Sequence, residues 1–251
     1  MKTIIIAVIF SLVFVGFSFA AEDEKSPTVT FSTKVFSKYV GEAGGLWSDK
    51  PVLQSDLTVN VGKGFYFGVW HSMSLSNPGT STDCGNENDP YIGWSGDAFG
   101  LNVDLMMTYF DIVPVFNYPD GDSLEVSVKV GKMFDVSDKH SLTPYVNVKY
   151  GFPVHDTGEE GLDGTYIYLG LVHNWAVTDK FSVTQKGVLV IDTGAYGGDS
   201  GLLGSYELKG SYAFTKWVSL EVSGKAIGPL SKINDGRKAH LIGSAGLVFS
   251  F

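Results

Sequence analysis

From Thr28 to the C-terminus the chain alternates apolar and polar residues in short segments, the period of a strand with two unlike faces. The clearest segment is the last. Between Ala239 and Phe251, Leu241, Gly243, Ala245, Leu247, Phe249 and Phe251 share one face, with His240, Ser244 and Ser250 on the other and Ile242 and Val248 as apolar exceptions. Eleven earlier segments read the same way. They run over Thr28–Val40, Val52–Val61, Phe65–Leu75, a weak Pro90–Ser95, Phe99–Phe110, Leu124–Phe134, Leu142–Phe152, Thr165–Trp175, Phe181–Asp192, Leu202–Phe214 and Trp217–Ala226.

The connections alternate in length. Gly62–Gly64, Gly96–Ala98, Asp135–Ser141, Ala176–Lys180 and Thr215–Lys216 are short, and longer Gly- and Asp-rich stretches separate the remaining strands. Glycines in the first of these accept the positive φ of a tight hairpin. Phe65, Phe99, Phe134, Trp175, Phe181, Phe214 and Phe251 gather on the apolar face near the short turns, and Tyr39, Tyr109 and Tyr150 near the long loops. Two aromatic belts suit the two interfaces of a bilayer. After the N-terminal segment no apolar run reaches the roughly 18–20 residues of a membrane helix. Only a closed barrel spans lipid without helices. The expected fold is therefore all-β: one transmembrane, antiparallel, up-and-down barrel of twelve strands, with short periplasmic turns and longer extracellular loops. A secreted lipocalin-like barrel or sandwich also alternates, but its stripes would have to meet in one dry core.

Residues 1–20 read as a cleaved signal peptide, with Lys2 before an apolar run and Ser18-Phe19-Ala20 at its end. This predicts Sec-type export, residues 21–251 as the barrel domain, and the bacterial outer membrane as destination. The formal charge is −9, and cleavage would remove one lysine and no acid. Such an acidic chain is not expected to bind nucleic acid. Many acids (Asp83, Glu87, Asp89, Asp120, Asp122, Asp156, Glu159, Glu160) fall in segments that read as solvated loops. Cys84 is the one cysteine, so no intrachain disulfide forms.

On this register Lys34, Lys38, Lys129, Lys149, Lys186, Lys209 and Lys225 point inward with Asp56, Asp104, Glu125, Asp192, Glu207 and Glu221. The balance favours neither cations nor anions. It reads either as an internal salt-bridge network or as a charged eyelet that screens solutes. All of these except Asp192 are the expected pore-lining residues. Phe249 and Phe251 are the expected signal for the barrel-assembly machinery.

Ser37-Lys38-Tyr39-Val40, Pro51-Val52-Leu53-Gln54, Gly64-Phe65-Tyr66-Phe67-Gly68-Val69-Trp70 and Tyr91-Ile92-Gly93-Trp94-Ser95-Gly96 follow one another in an order that resembles the TorF-type porin family. Those are outer-membrane barrels mostly without a defined substrate. The resemblance implies passive transport. It departs where the family continues its first strand with a Trp-Arg-Gly turn, since Gly41-Glu42-Ala43-Gly44-Gly45 stands here. The expected function is a passive channel for small polar solutes or ions, in contact with outer-membrane lipid and lipopolysaccharide. The alternative is a structural or adhesive barrel with no open pore, binding through its outer loops. No catalysis, cofactor or metal is expected. Ser55 opposite His71 on the apolar face is suggestive of lipid hydrolysis, but the sequence identifies no Asn or Asp to complete a triad and no oxyanion donor. His173, diagonal to Gln185, reads as a possible polar contact between subunits.

Overall fold

The computed structural model describes residues 28–78, 85–112, 122–154, 163–195, 198–233 and 235–251. Twelve strands form the wall: β1 (Thr28–Phe36), β2 (Val52–Gly62), β3 (Phe65–Ser74), β4 (Glu87–Ala98), β5 (Leu101–Ile112), β6 (Ser123–Gly131), β7 (His140–Pro153), β8 (Gly164–Ala176), β9 (Phe181–Asp192), β10 (Gly201–Ala213), β11 (Val218–Pro229) and β12 (His240–Ser250). Each pairs antiparallel with its neighbours in sequence, and β1 pairs with β12, closing the ring. Closure leaves the wall without an open edge, the condition for strands in lipid. Val29 and Phe251 seal the seam by exchanging backbone hydrogen bonds of 3.0 and 2.9 Å.

The apolar stripes face outward. Leu57, Val69, Ile92, Met107, Val148, Leu169, Leu208 and Val222 all stand exposed on the outer wall. Near the short turns Phe134, Trp175, Phe181, Phe214 and Phe251 of the expected belt stand exposed, and Trp217, not among those expected, stacks on Phe251. At the other end Tyr109 and Tyr150 donate their hydroxyls to Asp122 and Asp163, each at 2.7 Å. Tyr39 does not join them, for reasons given below.

Several boundaries differ from the sequence reading, among them the end of β1 at Phe36 rather than Val40. The turn after β4 is Phe99-Gly100, at φ +54° and +75°, rather than Gly96–Ala98. Phe99 thus occupies a left-handed position that disfavours a side chain, while its ring projects outward, 90% exposed. β6 stops at Gly131, and Phe134–Ser137 folds back as a short strand onto β7. β4 begins at Glu87, so Glu87 and Asp89 are wall residues, buried on the inner side, and not solvated loop charge. Residues 1–27 and the loop carrying Cys84 lie outside the described residues.

Gly246 marks how tightly the seam is built. Lys34 on β1 faces Gly246 on β12, which faces Glu221 on β11. The lysine lies across the glycine to bond Glu221 at 2.5 Å, and a Cβ on Gly246 would stand 2.1 Å from the Thr33 carbonyl oxygen. Gly243, three residues earlier, has open space around it. Gly246→Ala should destabilise the barrel by roughly 1–3 kcal/mol in urea unfolding followed by tryptophan emission, whereas Gly243→Ala should leave the midpoint unchanged.

Candidate functional site

Three inward tyrosines lie over a glycine on the adjacent strand, two on the β3–β4 pair and one on β7. Tyr66 faces Gly93, Tyr91 faces Gly68 and Tyr145 faces Gly170 in direct register. A Cβ on any of these glycines would come within 2.4 Å of the opposing ring. With the ring laid flat over bare backbone, the hydroxyl reaches the next acid. Tyr91 donates to Asp56 at 2.8 Å and Tyr66 lies 3.1 Å from both Asp104 oxygens. These two carboxylates are thereby bound to the wall.

Lysines gather on the β6–β11 side. A cavity of about 240 Å³ is lined by Lys129, Lys149, Lys186 and Lys225 together with Glu42, Asp104 and Glu207, and by Tyr145 and Tyr168. Lys129 and Lys186 both stand over the Tyr145 ring, 4.7 and 6.0 Å from its centroid. A ring quadrupole attracts cations this way but carries no charge to neutralise them. Glu207 sits between Lys186 and Lys225 in register.

The other charges expected in the pore settle differently. Lys34 and Lys209 both hold Glu221, at 2.5 and 2.9 Å. Glu125 is buried against Lys149 at 3.1 Å. Lys38 lies in the bend after β1, beside His240 and apart from the cavity lining. Asp192 is occupied at the rim: its carboxylate accepts from the Gly194 and Ala195 amides and from Arg237.

One lining residue, Glu42, comes from no strand. After β1 the chain does not continue along the wall to Val40. Tyr39–Val40 pairs instead with Leu46–Ser48 as a small hairpin turned into the barrel mouth. Tyr39 stacks on Trp47, packs at a tilt against Trp70 and donates to Glu87 at 2.6 Å, which explains its absence from the outer belt. Val40 joins Ile227 and Ile242 in a small internal apolar cluster, so Ile242, an exception to the alternation of β12, has a packing reason. The hairpin turn carries Glu42 to Lys149, 2.8 Å away. Ala43 accepts a 3.0 Å bond from Arg237, and Gly44, at φ +82°, fits against Leu203. Arg237 is the sole arginine of the chain, and it also pairs with Asp192 and Asp235 and donates to the Asp199 carbonyl. One guanidinium thus fastens the loops after β1, β9 and β11.

On the outer wall Ser55 does lie opposite His71, as the sequence suggested. Its hydroxyl, however, donates to Thr33 at 3.0 Å. Contrary to expectation an asparagine is at hand: His71 Nδ1 lies 2.8 Å from Asn88 Oδ1. As arranged, His71 is not hydrogen-bonded to the serine whose proton a base must take. His173 stands directly opposite Gln185, not diagonal to it, and lies 3.0 Å from His140. Gln185 also accepts from Tyr206 at 2.8 Å, completing a polar ladder across four strands.

The Lys149 ammonium beside it holds the Glu42 carboxyl down at about 2, with Lys186 and Lys225 assisting and desolvation opposing. A carboxyl lowered in the folded state stabilises above the ordinary carboxylate range, and that contribution is lost as pH falls through the folded value. Amide protection over residues 41–48, measured by hydrogen exchange and corrected for intrinsic rate, should therefore hold from pH 7 to 4 and drop near pH 2. Glu42→Gln should lack that transition.

Solved structures similar to this one include outer-membrane channels. The NanC porin matches with a TM-score of 0.55 and 9% identity, over 88% of this chain and 98% of the other. The KdgM porin, solved in complex with disordered oligogalacturonate, gives 0.54 and 8%, over 89% and 99%. The COG4313 outer-membrane channel from Pseudomonas putida F1 gives 0.52 and 11%, over 92% and 97%. At these identities the likeness is one of fold. No curated protein matches the chain in sequence. A family model does match, over residues 20–193, and the chain belongs to the bacterial family of unknown function called Gcw_chp.

Proposed function

We propose that the protein is a passive channel of the bacterial outer membrane, a narrow pore for small polar solutes or ions, exported by a Sec-type signal and related to the TorF-type porins. The observation that carries this reading is the charged cavity inside the ring. A purely structural barrel fills its interior with packed or mutually neutralised side chains, whereas here lysines line open space over Tyr145. The channel fold of the similar structures supports the same reading. Lipid and lipopolysaccharide would contact the exposed apolar wall, and no catalytic step or cofactor enters the mechanism. Solutes would cross by diffusion, with size set by the hairpin at the mouth and preference set by the lining charges.

Purified protein in a planar bilayer should give discrete conductance steps at fixed voltage. Silence across voltages would instead identify a closed barrel working through its outer loops.

The seam explains what Phe249 and Phe251 contribute. Phe249 stacks on Phe31 and Phe251 on Trp217, so the last residues complete both the ring and the aromatic belt. We take this strand as the signal for the barrel-assembly machinery. Deleting Phe251 should lower the amount of folded protein in outer-membrane fractions several-fold, read by heat-modifiable migration, and unchanged amounts would remove that role.

A further inference from the structure

We propose that the lumen holds a binding site for a carboxylate-bearing solute, built from Lys149, Lys186 and Lys225 with Lys129 beside Tyr145, and that Glu42 occupies it as a tethered competitor. The inference rests on the channel reading above and names the solute class that the pore favours.

The argument begins with which charges are satisfied. Of the four cavity lysines, Lys149 is the one with an ion pair among the described residues, and it has two. Glu125 is the wall partner of Lys149, deeply buried and one strand away, so Lys149 keeps a counter-charge without Glu42. Lys129 and Lys186 contact an uncharged ring. Asp104, the acid opposite Lys129 in register, is turned to the Tyr66 hydroxyl. Glu207 faces both Lys186 and Lys225 in register, one carboxylate for two ammoniums. The wall by itself therefore carries more positive charge into the cavity than it neutralises, and a further carboxylate completes it.

In this structure that carboxylate is supplied by a loop. The Glu42 side chain remains 60% exposed while its partner Lys149 is 13% exposed. The acid end of the pair is thus open to water in the lumen and can be exchanged, whereas the lysine end is fixed. Glu42 belongs to a turn whose backbone is held by the Gly41–Gly45 bond and by Arg237 on Ala43, so the carboxylate leaves by rotation of its own side chain and no strand must open. Its lowered pKa reports favourable interaction of the carboxylate with Lys149 first and with Lys186 and Lys225 as well. A solute carboxylate arriving there meets the same lysines, with Tyr145 and Tyr168 beside it to contact an apolar or sugar face. At about 240 Å³ the space suits a small acid better than a bulky one.

Isothermal titration of the detergent-solubilised barrel with sodium D-glucuronate tests this, with D-glucose as the uncharged control. Wild-type protein should bind glucuronate and not glucose. Glu42→Gln should bind glucuronate roughly tenfold more tightly, because the intrinsic site no longer has to be vacated first. The double variant Lys186→Gln, Lys225→Gln should lose binding while retaining heat-modifiable migration. Equal affinity in wild type and Glu42→Gln, or equal binding of glucose, overturns the proposal. If the lysine variant does not fold, the Glu42→Gln comparison decides alone, since that side chain lies in a loop. The titration needs no conduction, so a barrel that binds glucuronate but is silent in a bilayer refutes the channel and keeps the site. A conducting barrel whose affinity ignores Glu42 refutes the site and keeps the channel.

Discussion

Backbone hydrogen bonding in a medium without water governs everything else in this molecule. Each strand can satisfy its amides and carbonyls only through neighbours on both sides, so the first and last strands must find each other across the whole chain. The β1–β12 ladder does this from Thr30 to Phe36 and from Ser244 to Ser250. Gly246 is the local consequence. Lys34 must cross β12 to reach Glu221, and only a residue without a side chain leaves it the path.

Inside the ring the constraint reverses. The wall turns its apolar residues to lipid, so the interior must accommodate charge at low cost. It does so by two different chemistries. On the β2–β5 side tyrosine hydroxyls bind Asp56 and Asp104, neutral donors spreading the negative charge. On the β6–β11 side four lysines line one cavity, two of them over the Tyr145 ring. This asymmetry bends the balanced inventory of inward charges toward a locally positive cavity, and position rather than number decides the field there.

Much of the wall was legible in the sequence because a period of two is a local property. The Gly62-Lys63-Gly64 turn, with φ of +93°, +52° and +82°, is readable from composition alone. β4 was only half legible: its inner face carries Glu87 and Asp89, which look like loop residues until the register turns them inward. The site was partly legible. Asp104, Lys129, Lys149, Lys186, Glu207 and Lys225 follow from alternation and do reach the cavity. Glu42 does not, because its position depends on Lys149 and Arg237, residues distant in the chain, and no periodic signal encodes a loop folding back. Lys38 failed for the same reason, since β1 ends at Phe36. The faint signal was present in the glycines around Glu42, which permit a tight reversal where a continuing strand would want none.

Arg237 gives the outer face a mechanical character. Because a single planar cation ties Asp192, the Asp199 carbonyl, Asp235 and the Ala43 carbonyl, three segments far apart in sequence share one fastening. Such a hub makes the rim move as one body. A length change in any of the three segments would be felt by the other two, so this part of the surface has less room to diversify than free-standing loops ordinarily enjoy.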